Sequence, residues 1–61
     1  MKVKEVIRRL EAEGWALSRR KASHRTFKKD GVADVVTVSG VDGKDVSPGQ
    51  LQDIKRKAGW K

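Results

Sequence analysis

The 61 residues contain no cysteine and no tyrosine, and only one proline, one phenylalanine and one histidine. Without cysteine, neither a disulfide framework nor a thiolate metal site can form. Asp30, Asp34, Asp42 and Asp45 show no metal-ligand spacing and read as turn and loop residues. Gly40, Gly43 and Gly49 do not build a phosphate-cradling signature. No metal and no cofactor are therefore expected, and oxidoreductase or nucleotide-hydrolase chemistry has no residues to stand on. Long apolar runs are missing too. Met1 to Gly14 carries a charge every two or three residues, with no hydrophobic segment of signal-peptide or membrane-spanning length. The expectation is a soluble cytoplasmic protein, folded as a single domain over residues 1–61.

Acidic residues are the minority. Eight Asp and Glu against 15 Lys and Arg leave a formal charge of +7. A domain this basic is drawn to polyanions, most often nucleic acid, although acidic proteins and anionic membrane surfaces satisfy the same electrostatics. The basic residues concentrate in Arg19-Arg20-Lys21-Ala22-Ser23-His24-Arg25-Thr26-Phe27-Lys28-Lys29, and the single histidine lies inside that strip. An imidazole titrates near pH ~6.5 and moves a proton where lysine and arginine cannot. The cations around it are what a phosphodiester backbone is attracted to. One proton-transfer group in a phosphate-attracting strip suggests a small nuclease. A second cluster, Lys55-Arg56-Lys57, falls late in a helix and there complements the helix dipole.

Hydrophobic periodicity supplies the architecture. Val3, Val6, Ile7 and Leu10 recur at helical spacing, which predicts an amphipathic helix over about residues 3–13, stopped by Gly14. From Trp15 the period becomes two. Strands are predicted over 15–20, 24–29 and 34–38. A loop over Asp30 to Ala33 pairs Phe27 with Val36 and Lys29 with Asp34; a Lys21-Ala22-Ser23 loop pairs Leu17 with Phe27 and Arg20 with His24. In that register Leu17, Phe27, Val36 and Val38 face the helices, whereas Arg20, His24, Thr26, Lys28 and Thr37 face solvent. Ser47 and Pro48 open a second helix, with Gln50 closing a capping box; Leu51, Ile54 and Ala58 form its apolar stripe and Gly59 ends it. The predicted fold is α+β, in the order α-β-β-β-α, a three-stranded antiparallel sheet with two helices on one face. Its core draws on Val3, Val6, Ile7, Leu10, Trp15, Leu17, Phe27, Val36, Val38, Leu51, Ile54 and Ala58. Trp15 has core parity and Trp60 follows the second helix, so neither is assigned to base stacking.

This order resembles the HicA toxins, small mRNA endonucleases of bacterial and archaeal toxin–antitoxin pairs. Glu13-Gly14-Trp15 is similar to the family's opening, and Ala22-Ser23-His24-Arg25-Thr26-Phe27 stands where the family usually has Gly-Ser-His-x-x-Phe. Val36-Thr37-Val38, Lys44-Asp45-Val46, Gly49-Gln50-Leu51, Ile54 and Ala58-Gly59 resemble its second half. The resemblance implies a fold like that of double-stranded-RNA-binding domains, with His24 at the catalytic position. It also implies mRNA as substrate, a HicB-type antitoxin that masks the site, and operator DNA bound through the antitoxin complex. Two points depart from the family. Ala22 replaces the common glycine in a turn that favours positive φ. Ser39-Gly40-Val41-Asp42 stands where many members have a proline and often a further histidine.

RNA carries its own nucleophile, the ribose 2′-OH, so its cleavage needs only a base, an acid and cations for the charge developing on phosphate. His24 is the candidate catalytic residue. Arg19, Arg20, Lys21, Arg25, Lys28 and Lys29 are the candidate RNA-binding cations, with Ser23 donating a hydrogen bond or shaping the turn. The rival reading is a non-catalytic module that binds RNA or docks onto an acidic protein partner. Conventional double-stranded-RNA modules place lysines at the start of the last helix, where this chain has Pro48-Gly49-Gln50.

Overall fold

A computed structural model describes residues 1–60. The first helix, α1, spans Val3–Ala12 and buries Val3, Val6 and Leu10 on one side. Its start is capped from two directions. The Glu5 carboxylate accepts from the Lys2 N–H at 2.9 Å, while the N–H groups of Val3 and Lys4 donate to the carbonyls of Lys44 (2.8 Å) and Asp42 (3.3 Å). Those are donors that a helical first turn leaves open. The loop after the sheet is thereby tied to the beginning of the chain. Gly14, at φ 94°, then redirects the backbone, and the Trp15 N–H returns to the Leu10 carbonyl at 2.9 Å.

Three antiparallel strands follow, β1 (Ala16–Lys21), β2 (His24–Lys28) and β3 (Val36–Val38), in the spatial order β1-β2-β3, and α2 (Pro48–Ala58) ends the fold. This is the α-β-β-β-α order that the periodicity predicts. Phe27, Val36 and Val38 share one face of the sheet and are buried with Val3, Val6, Leu10 and Ile54 in one cluster. Both helices therefore cover the same face. The opposite face carries Thr26 and Thr37, whose hydroxyls lie 3.4 Å apart. Among the described residues, no helix is long and apolar enough to cross a membrane.

The register holds at the centre and fails at both ends. Leu17 lies opposite Phe27, and Phe27 opposite Val36, as expected. Between Leu17 and Arg19 the pairing shifts by one residue, so Arg19 faces Thr26, Arg20 faces Arg25 and Lys21 faces His24. Ser18 is the extra residue of a β-bulge, and one extra residue moves everything beyond it to the other face. The expected Arg20–His24 pair is thus replaced by Lys21–His24, and the connecting loop shrinks to Ala22 and Ser23. At the other end, β3 begins at Val36 rather than Asp34, and the Lys29–Asp34 pair does not form. The chain instead turns at Gly31 (φ 82°), with the Val32 N–H on the Lys29 carbonyl at 3.1 Å, and leaves Val32 and Val35 exposed.

The core differs from expectation at named positions. Leu17 is 50% exposed, because no helix reaches over β1, all of whose residues are exposed. Ile7, Leu51 and Ala58 only border the cluster, while Val46 and Trp60 join it. Val46 is drawn in by the bond from its N–H to the Met1 carbonyl at 2.9 Å. Trp60 is folded back after Gly59 (φ 75°), its N–H on the Lys55 carbonyl at 2.8 Å, the closure typical of a glycine-terminated helix. At the start of α2, Ser47 accepts from the Gln50 N–H at 3.3 Å, but the Gln50 side chain does not return to Ser47. Its carbonyl oxygen accepts from the Ser39 N–H and hydroxyl, both at 2.8 Å, because Ser39 leaves the sheet with a part-buried donor to satisfy. The capping box is therefore half made.

Candidate nucleic-acid interface

The site is organised by the turn between β1 and β2. Ala22 sits at φ 52°, the only non-glycine residue with positive φ among those described, followed by Ser23 without one. A positive φ at the first position of a two-residue hairpin loop suits glycine. An alanine there costs about 1–2 kcal/mol. The turn presents Ser23 at its tip and starts β2 with His24, whose side chain is exposed and directly opposite Lys21.

The candidate residues divide between the two sides of the hairpin. Strand alternation puts Arg19, Lys21, Thr26 and Lys28 on the open face with His24, away from the helices. Arg20 does not accompany them. It lies with Arg25 on the helix-covered side, beyond the end of the packed core, and the two line a cleft of about 380 Å³ with Ala22, Ser23, Gly40, Val41 and Asp42. Arg25 Nη2 pairs with Asp42 Oδ1 at 2.9 Å, its side chain only 18% exposed, and its Nε is buried without a partner. Lys28 and Lys29 line a different groove at the far end of the hairpin, beside Leu17, Val32 and Val35. Arg19 and Lys21 are therefore the cations nearest His24 in the register, and Arg20, Ser23 and Arg25 form a separate group around the tip.

Asp42 is the site residue that sequence reasoning passed over. It was legible only as a loop aspartate, and nothing local marks its pairing with Arg25. The tryptophans are unavailable for stacking on bases. Trp15 is buried, and Trp60 packs under the Arg9 guanidinium, 4.2 Å from its centroid, with the indole N–H donating to Glu13. The late basic cluster of α2 is partly spent within the helix. Asp53 accepts from Arg56 at 2.6 Å and lies 3.2 Å from Lys57. The hydrogen bonds from Arg56 and then Lys57 hold the Asp53 carboxyl below its ordinary 3.8. Among the described residues, no group of three or more His, Asp or Glu gathers as a metal-ligand set.

What this arrangement can do follows from the two sides together. The open face offers one titratable imidazole, reachable from solvent, with cations on the neighbouring strand. The cleft offers two guanidiniums and a hydroxyl to an anion. The family described as HicA toxin of bacterial toxin-antitoxin has a model that matches residues 3–60. No curated protein matches the chain.

Proposed function

The chain belongs to the HicA toxin family of bacterial toxin–antitoxin systems, and on that premise we propose that it is a metal-independent endoribonuclease cleaving single-stranded mRNA. His24 is the catalytic residue in this reading. The imidazole takes the proton of a ribose 2′-OH or returns one to the departing 5′-oxygen, while the cations offset the charge developing on phosphate. Arg19, Lys21 and Lys28 hold the strand across the open face; Arg20, Ser23 and Arg25 hold it at the tip, and Lys29 at the far end. A HicB-type antitoxin covers this surface in the cytoplasm, and operator DNA is bound only through the complex. The observation that carries the reading is the position of His24, exposed at the first residue of β2 opposite Lys21.

The test uses purified wild type and His24→Ala on single-stranded RNA in the presence of EDTA. The variant should lose roughly 10²–10⁴-fold in cleavage rate, the range for a positioned acid or base. Equal cleavage by both proteins ends the proposal. DNA of the same sequence, lacking the 2′-OH, should remain intact. One observation favours the rival: Arg20 and Arg25 line a cleft that His24 does not, which suits RNA retention without chemistry. That reading predicts salt-sensitive RNA binding with no new RNA ends, from wild type and variant alike.

A further inference from the structure

Arg20 and Arg25 oppose each other directly across β1 and β2. Like charges in that position destabilise a sheet. Among the described residues Asp42 is the only carboxylate lining their cleft, and it neutralises one of the two guanidiniums through a single contact at 2.9 Å. One positive charge is left over. The Asp42 side chain is 58% exposed against 18% for Arg25, so water competes for the carboxylate end of the pair. Its backbone is not free to leave. The Asp42 carbonyl accepts from the Lys4 N–H, and Gly40, at φ 111°, packs so closely on α1 that a Cβ would lie 3.3 Å from Val3 Cγ2. The loop thus holds an exchangeable carboxylate in a fixed place, beside two guanidiniums and the Ser23 hydroxyl.

We propose that this cleft binds a phosphodiester group of the RNA strand through Arg20, Arg25 and Ser23, and that Asp42 is an internal stand-in anion which the phosphate displaces from Arg25. A phosphate brings several acceptor oxygens where Asp42 uses one, and guanidinium forks match such oxyanions in pairs. Ser23 lines the cleft and His24 is the next residue, on the other side of the tip. A strand anchored by one phosphate in the cleft lays a neighbouring ribose toward the imidazole. This rests on the RNA-cleaving reading above and adds an anchoring point, with Asp42 setting its strength.

The experiment measures binding of labelled single-stranded RNA, across a range of salt, in a His24→Ala background that leaves the strand intact. Asp42→Asn keeps the shape and removes the charge; it should tighten binding about three- to tenfold at low salt, with the gain shrinking as salt rises. Asp45→Asn makes the same change of net charge away from the cleft, at a side chain 73% exposed, and should shift affinity less than about twofold. Arg20→Ala, at an exposed position, should cancel the gain of Asp42→Asn. Equal effects of Asp42→Asn and Asp45→Asn overturn the proposal, as does an Asp42→Asn that lowers thermal stability while leaving affinity at the control value. Loss of RNA binding by every protein, the His24→Ala parent included, removes the RNA reading itself. RNA binding without an Asp42 effect removes only the cleft.

Discussion

Leu17 and Phe27 lie opposite each other in the same sheet, on the same face, yet one is half exposed and the other is 0% exposed. Both are large, apolar and placed by strand alternation, so the local signals are alike. The difference is coverage. The helices lie over β2 and β3, where Phe27, Val36 and Val38 meet Val3, Val6, Leu10 and Ile54. β1 extends past that footprint and is supported from one edge only. The molecule therefore has a packed half that stabilises it and an open half, β1 and the hairpin tip, that carries His24 and three of the six cations of the candidate site, Arg19, Arg20 and Lys21. A strand freed from core duty tolerates Arg19, Arg20 and Lys21 in succession; charges along an edge also discourage pairing with another sheet.

The comparison breaks most directly by truncating its two members. Phe27→Ala should cost about 3–5 kcal/mol, since a fully buried aromatic leaves both lost transfer energy and a cavity. In a domain this small that matches about the whole margin, and urea denaturation should find the variant largely unfolded without denaturant. Leu17→Ala should change stability by less than about 1 kcal/mol in the same assay, well below the cost at Phe27. Similar losses at the two positions would mean that something covers β1. The next effect lies at the join between the halves. Gln50→Ala removes the bonds to Ser39 at 2.8 Å and leaves a part-buried N–H without its acceptor. The expected loss is about 1–3 kcal/mol, read as a lower urea midpoint with an unchanged slope. A neutral Gln50→Ala would indicate that Ser39 finds another acceptor.

How far the sequence discloses this division can be followed residue by residue. The fold order and the Phe27–Val36 register are legible because apolar periodicity and a buried face specify them together. The exposure of Leu17 is not, since it depends on where two helices end in space. The Ser18 bulge has no local signature, and its consequence is large: Arg20 leaves the face of His24, and Arg19 and Lys21 take its place. Trp60 did carry a signal, an apolar residue directly after the helix-ending Gly59, where such a residue packs back on the last turn. Val46, alone between Asp45 and Ser47, carried none. His24 stands out by composition and by resemblance to the family, whereas the pairing of Arg25 with Asp42 is tertiary and appears only when the loop is fixed against α1.

The smallest effect tests the tip itself. Ala22 occupies positive φ, and glycine there should relieve about 1–2 kcal/mol of left-handed strain. Glycine also enlarges the unfolded ensemble, which takes back about 0.4–1 kcal/mol. Midway through both ranges the net is a gain of about 0.8 kcal/mol, a rise of roughly 3–6 °C in Tm for a chain of this length. The sign is what makes the test informative. Ala12→Gly, at the end of α1, should lower stability, because glycine is a poorer helix former by up to about 1 kcal/mol. Opposite signs from one and the same substitution would show that the hairpin tip, and not glycine in general, sets the outcome. A tip variant that is stabilised but cleaves RNA more slowly would further mean that the strained alanine orients Ser23 and His24 in a way a freer turn does not.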